Sequence, residues 1–245
     1  MSSSPLPKKF TFQDLILHED ESVILINKPS GIASLDDKSN RNIHFMAKDY
    51  FPDAQLCHRL DKMTSGVLII AKSPEAYRHI SLQFQNRTLR KGYRCLVEGI
   101  HRFQNRSIDL KLYVTTNKRV SVSKSQGKPA LTIVNTEEVF RHYTLLHCEP
   151  RTGRMHQIRV HLATLKSPIV GDELYGGKDI FLSAFKRKYK FSGRKMEERP
   201  LNHSFLLHAY NLKFVHPTSE EEMTIEAPYP KNFQVVLKML RKYDA

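Results

Sequence analysis

The apolar residues of this sequence come in short runs, and that limits the folds open to it. Val23-Ile24-Leu25-Ile26 and Val67-Leu68-Ile69-Ile70-Ala71 are each the length of a buried strand. Neither approaches the ~20 residues that span a bilayer. The first run, read as a strand over 22–27, is stopped by Lys28-Pro29-Ser30-Gly31, a turn signal; the second starts directly after Gly66. Ser73-Pro74 then supplies an N-cap and a first-turn proline for a helix with Tyr77, Ile80 and Phe84 on one face. Further strands are predicted over 93–98, with Tyr93, Cys95 and Val97 on one side, and over 130–140, 143–149, 210–215 and 223–225. Thr152-Gly153-Arg154 leads into a helix carrying Met155, Ile158, Leu162 and Leu165, which ends before Pro168. A C-terminal helix carries Phe233, Val236, Leu237 and Leu240. Strands outnumber helices and most neighbours are joined by short turns. The class is therefore α+β, with a mostly antiparallel mixed sheet and flanking helices. With no internal repeat and no clean linker, the expectation is one compact domain over 11–245 behind a loose tail at 1–10, with a basic insertion at about 178–200.

Charge narrows the partner. Lys and Arg number 39 against 25 Asp and Glu, a net charge of +14. Self-repulsion of that size makes an anionic partner the economical explanation, nucleic acid first and an anionic membrane second. No signal peptide precedes the fold, so a membrane partner falls behind and a cytoplasmic protein is expected. Cys57, Cys95 and Cys148 are odd in number and far apart. They indicate neither a zinc knuckle nor a disulfide framework and fit a reducing compartment. The basic residues are uneven. Lys186, Arg187, Lys188, Lys190, Arg194 and Lys195 are interleaved with Phe185, Tyr189 and Phe191, a pattern suited to stacking on unpaired bases. A solvated loop has the same composition. Arg87, Arg90, Lys91 and Arg94 form a second cluster, and Lys118, Arg119, Lys124 and Lys128 a third.

Three segments can carry chemistry. His58-Arg59-Leu60-Asp61-Lys62-Met63-Thr64-Ser65-Gly66 places a carboxylate between cations just before a buried strand. Neighbouring cations favour the ionised form, which suits a nucleophile or electrostatic stabiliser better than a general base. Read alone, Asp61 beside Arg59 is most often a structural ion pair. In the second segment, Arg154, His156, Gln157 and Arg159 gather near a helix start, where anions are favoured. His156 and His161 are five apart rather than four and no HExxH is present, so no metal site is indicated and a hydrogen-bonding core histidine is the plainer reading. In the third, Lys91 to Gly99, Tyr93 is by pattern a core aromatic. No Walker loop or dinucleotide fingerprint suggests a cofactor. Paired carboxylates for a glycosidase and metal-binding acids for a nuclease are likewise missing from the motifs.

Together these segments resemble the RluA-type family of RNA pseudouridine synthases. The signature H-R-L-D-x-x-T-S-G with its apolar strand and Ala-Lys is matched from His58 to Lys72. Thr152-Gly153-Arg154-x-His156-Gln157-Ile158-Arg159-Val160-His161 resembles a later motif. So do Pro168-x-Val170-Gly171-Asp172-x-Leu174-Tyr175-Gly176, Leu207-His208-Ala209 and the early turn Asn27-Lys28-Pro29-x-Gly31. The matches keep family order from about residue 20 to residue 230.

The resemblance implies a pseudouridine synthase fold with a central active-site cleft, and isomerisation of a uridine in a tRNA or rRNA stem-loop without cofactor or metal. It implies Asp61 as nucleophile, attacking C6 of the base or C1′ of the ribose or promoting elimination to a glycal. Arg159 would pair with Asp61. Tyr93 would pack on the target base and help remove the C5 proton late in the reaction. Ile158 would floor the pocket, and Arg59 would fill the stack left by the flipped base. His58, Arg154 and His156 are the remaining substrate-binding candidates. With 57 residues ahead of His58, no room is left for the S4 domain that many relatives carry, so a compact monomer is expected. The rival reading is a non-catalytic RNA-binding or ribosome-assembly factor on the same scaffold.

Overall fold

The computed structural model describes residues 10–35, 42–117, 119–186, 189 and 197–245. In chain order its strands are β1 (Ile16–Glu19), β2 (Val23–Lys28), β3 (Gln55–Leu56), β4 (Ser65–Ala71), β5 (Arg90–Glu98) and β6 (Arg106–Asp109), followed by β7 (Leu112–Val114), β8 (Val120–Val122), β9 (Leu131–Val139), β10 (Tyr143–Pro150), β11 (Leu207–Val215) and β12 (Glu222–Glu226). The helices are α1 (Ile43–Tyr50), α2 (Pro74–Asn86), α3 (Gln157–Thr164) and α4 (Lys231–Tyr243). The chain divides into two compact units, Met1–Tyr93 with His208–Pro228, and Arg94–Leu207 with Tyr229–Ala245. The expected tail and most of the basic stretch at 185–195 lie outside the described residues.

In the first unit the strand order is β1-β2-β4-β11, with β3 pairing β4 and β12 pairing β11. All seven residues of β4 are buried, as a strand covered on both faces requires. Each large aliphatic buried there contributes about 1.5–3 kcal/mol. β2 runs antiparallel to β4, pairing Val23 with Ala71 and Lys28 with Gly66, whereas β11 runs parallel to it, pairing His208 with Ser65. Ser73 accepts a hydrogen bond from the Ala76 amide and Pro74 opens α2, as predicted. That helix buries Ala76, Ile80 and Gln83, while Tyr77 is exposed. Gln83 is buried because its side chain pairs both backbone groups of Val215.

In the second unit the order is β5-β10-β9-β6, with β7 and β8 forming a separate hairpin. β9 and β10 are antiparallel, with an irregularity between Leu145 and Leu146. Cys95, Leu96 and Val97 are all buried, so the alternation predicted for β5 gives way to cover on both faces. α4 lays Phe233, Val236, Leu237 and Leu240 into a core with Leu96, Phe140, Leu145, Val170 and Ile180. α3 starts at Gln157, because His156 ahead of it has φ 52°, a left-handed conformation that a helix does not continue through.

Candidate active site

Asp61 stands on the loop between β3 and β4 in the first unit. Backbone groups of a loop entering a core need partners, and here they come from residues 28–34. The Ser34 hydroxyl accepts from the Leu60 amide and donates to the Leu60 carbonyl, each at 3.0 Å. Ser30 Oγ donates to the Met63 carbonyl at 2.7 Å. The Gly31 amide donates to the Lys62 carbonyl at 2.9 Å, and the Thr64 amide closes the turn on the Asp61 carbonyl at 3.0 Å. The chain is therefore pinned on both sides of Asp61.

Lys28 completes this brace. Its side chain is fully buried, and Nζ donates to the carbonyls of Pro29 (3.0 Å), Ile32 (2.7 Å) and Lys62 (3.2 Å). Three acceptors match the three donors of an ammonium. Burial pushes Lys28 down to about 7, against the opposing pull of the Asp61 charge. Tyr93 packs on the same core as Leu60, Leu68 and Ala209. Burial, and then the Asp61 charge, hold its phenol well above the usual tyrosine range. Tyr93 is thus a neutral phenol at rest, able to pack and to donate but not to take a proton.

His58 and Arg59 point to different tasks. His58 Nε2 accepts from the Ile69 amide at 3.3 Å and its ring packs on Phe84, with centroids 4.8 Å apart. Burial and the Lys91 ammonium push His58 down to about 3, so it is a neutral brace. Arg59 is exposed. Beneath the loop, Gly66 has φ +116°, and a Cβ there would lie 2.1 Å from the Ala209 carbonyl oxygen. Only glycine fits the approach of β11. The buried His208 joins the same strands. Its Nε2 must donate to the Ala227 carbonyl (3.1 Å), which leaves Nδ1 to accept from Ser65 Oγ (2.8 Å).

Arg159, Ile158, His156 and Arg154 lie in the second unit. Arg159 is 6% exposed and forms a bidentate pair with Asp172, Nε to Oδ2 at 2.7 Å and Nη2 to Oδ1 at 2.8 Å. Its guanidinium carbon stands 4.4 Å from the Phe205 ring centroid and 4.9 Å from that of Tyr175. A planar cation held by a fork and two aromatic faces has little freedom left. The Tyr175 hydroxyl accepts from the Val120 amide at 3.2 Å and lies 2.7 Å from His156 Nδ1. Gln157, also buried, accepts from Thr152 Oγ1 and the Arg154 amide and donates to the Leu131 carbonyl and Thr132 Oγ1. Arg154 Nε donates to the Pro129 carbonyl at 3.2 Å, and Ile158 is buried. His161 is a buried core histidine on Thr132.

Sequence reasoning assigned no role to Lys28, Ser30, Ser34, Asp172, Tyr175, Phe205 or His208. Lys28, Ser30, Asp172, Tyr175 and His208 stand inside quoted motifs, and that was the available signal; Ser34 and Phe205 carried none. Among the described residues no group of three or more His, Cys, Asp or Glu could hold a metal ion. No helix among them is long and apolar enough to cross a membrane.

Comparison with known proteins bears on the fold and the family. The human RNA pseudouridylate synthase domain containing 1 protein is 24% identical with a TM-score of 0.68, over 97% of this chain and 99% of the other. The domain containing 4 protein is 23% identical with a TM-score of 0.67, over 94% of each chain. These two establish the fold. The RNA pseudouridylate synthase family matches over residues 22–164. Ribosomal large subunit pseudouridine synthase C of Escherichia coli K12 is 36% identical over 98% of this chain and 74% of its own length. Its Vibrio vulnificus counterpart is 34% identical over 98% and 73%. The chain belongs to the RNA pseudouridylate synthase family, within its RluA type, and is an isomerase acting on RNA.

Proposed function

We propose that this enzyme isomerises a uridine of large-subunit ribosomal RNA to pseudouridine, with Asp61 as nucleophile. The observation that carries the reading is the pinned loop: Asp61 shares its surroundings with Lys28 and Tyr93, and the carbonyls of its chain neighbours Leu60, Lys62 and Met63 are held by side-chain donors. A nucleophile fixed in advance lowers the entropy cost of attack. Asp61 adds to C1′ as the bond from N1 breaks, or adds to C6, or the base leaves by elimination to a glycal. In each route the uracil turns, C5 bonds to C1′, any bond to Asp61 is broken, and the C5 proton passes to a base or to water. One C–N bond is exchanged for one C–C bond on a single nucleotide, so no outside energy source is required. Tyr93 packs on the base and is assigned, by resemblance, a part in removing the C5 proton late in the reaction. Arg159, held by Asp172, Tyr175 and Phe205, is assigned by resemblance as the partner of the Asp61 carboxylate. Exposed Arg59 takes the place of the flipped base.

The relatives' names favour ribosomal RNA over tRNA. A cytoplasmic setting is favoured by the bacterial ribosomal relatives. The test is tritium release from ribosomal RNA and from tRNA labelled at uridine C5 and lacking the modification. Release from ribosomal RNA alone is expected. Asp61→Asn should lower it by about 10⁴-fold or more while RNA affinity stays within a few fold. Activity within tenfold of wild type would remove Asp61 from the nucleophile role, and release from tRNA alone would overturn the target.

A further inference from the structure

A second site is built into the second unit, and it contains none of the residues assigned to the reaction. After β5 the chain makes a loop over residues 99–105 whose backbone is held by side chains from β9 and β10. Thr144 Oγ1 donates to the Gly99 carbonyl (2.7 Å) and accepts from the His101 amide (3.0 Å). Thr136 Oγ1 donates to the His101 carbonyl (3.0 Å) and accepts from the Phe103 amide (2.9 Å). Asn135 Oδ1 accepts from the Asn105 amide at 2.6 Å, where Asn105 adopts φ 48°. Such bracing fixes the loop's backbone in advance, so that ordering it adds little to the cost of binding.

Those side chains line an open cavity of about 460 Å³, made by His101, Arg102, Phe103, Gln104, Arg106 and Leu165. Its size falls within the roughly 300–1,000 Å³ range of small-ligand sites. The His101 and Phe103 rings stack, 5.3 Å between centroids and 15° from parallel, and His101 Nε2 is fixed 2.8 Å from the Glu98 carbonyl. Arg102 and Arg106 are exposed, and neither has an acidic partner among the described residues. Of the acids on the strands around the loop, Glu137, Glu138 and Glu149 pair with Arg94, Arg241 and Arg151, and Glu98 Oε1 accepts from the Lys178 amide. Two arginines facing solvent beside a pre-stacked aromatic pair and an amide are the parts that bind a nucleotide of unpaired RNA. The arginines suit its phosphates, the rings its base, and Gln104 a base edge.

We propose that this cavity is an accessory subsite for an unpaired nucleotide of the substrate RNA, separate from the uridine that is isomerised. The proposal rests on RNA being the substrate and adds a contact that fixes how the RNA lies.

The test uses the full chain and a fluorescein-labelled single-stranded octauridylate, with affinity measured over a range of salt. Arg102→Ala/Arg106→Ala should weaken binding roughly tenfold at low salt and reduce the slope of log K against log salt by about 1.4. Phe103→Ala should weaken it by between about 5- and 150-fold with the slope unchanged. Lys231→Ala/Lys238→Ala, on exposed positions of α4, removes the same charge elsewhere. An octauridylate carrying 4-thiouridine should cross-link to the peptide over 101–106. A loss for the arginine pair no larger than for the lysine pair, or cross-links that avoid 101–106, would overturn the site. Tritium release by the wild type is scored on the same preparation. If it fails, the ribosomal target reading falls while the oligonucleotide result still stands.

Discussion

Lys28 and Arg159 are both buried cations near residues assigned to the reaction, and they are kept in opposite ways. Lys28 is surrounded by three carbonyl oxygens and accepts a pKa of about 7, so it sits at the edge of giving up its charge. Arg159 has a full carboxylate in a two-pronged pair and two rings over its guanidinium. The first cation is a fastener for backbone, binding the chain on which Asp61 rides. The second is itself the group being positioned, and its neighbours hold it. A lysine that can lose its proton suits the first task, because hydrogen bonding matters more than charge there. An arginine that cannot lose its proton suits the second.

Four measurements would sharpen or break that contrast. Asp172→Ala strands a buried guanidinium and should destabilise the protein by about 3–5 kcal/mol in urea unfolding, with activity falling alongside. A loss below 1 kcal/mol would mean that Asp172 is not what keeps Arg159 in place. Lys28→Met removes a charge that was already costly and leaves its carbonyls unpaired, so a smaller loss of about 1–3 kcal/mol is expected. Should Lys28→Met prove the more damaging of the two, the contrast would be inverted. The pH dependence follows from the depressed folded-state value. Between about 7 and the ordinary lysine value of 10.5 the unfolded chain binds the proton that folded Lys28 has released, so stability gains from rising pH. That gain is at most about 1.4 kcal/mol per pH unit. The gain should vanish in Lys28→Met, and an identical slope in both proteins would show that Lys28 keeps its proton. Smallest is Arg59→Ala, which touches neither cation. It should leave stability within about 0.5 kcal/mol while lowering kcat/KM. A destabilised Arg59→Ala protein would make Arg59 a structural residue.

What could be read in the sequence tracks how local the determining physics is. β2, β4 and α2 announced themselves because an apolar run, a serine cap and a proline act within a few residues. α1 did not. Its eight residues expose Phe45 and bury only Ile43 and Ala47, so the helical stripe is faint. β6, β7 and β8 are three or four residues each, too short for an alternating pattern to show, and they exist because a partner strand is available. Asp61 was legible through its motif, yet the reason its loop is rigid was not. Lys28 in a Lys-Pro turn reads as a surface lysine, since lysines are almost never fully buried. Nothing in the spacing of Arg159 and Asp172 marks them as a pair. Phe205, which covers the same guanidinium, lies in a stretch with no pattern at all. The parallel pairing of β4 with β11 was missed for the same reason: 143 residues separate Ser65 from His208.

That long separation bears on how the protein is made. A ribosome releases the Asp61 loop early, with β2 and β4 close behind or ahead of it in the chain. The strand that must lie against Gly66, and the histidine that ties Ser65 to the Ala227 carbonyl, arrive only when most of the polypeptide has emerged. Non-local pairings of this kind form slowly, and domains complete themselves only when their last strand is present. Until then a nascent chain carries Asp61 without a finished floor beneath it. Synthesis therefore completes the packing around Gly66 only after β11 has emerged.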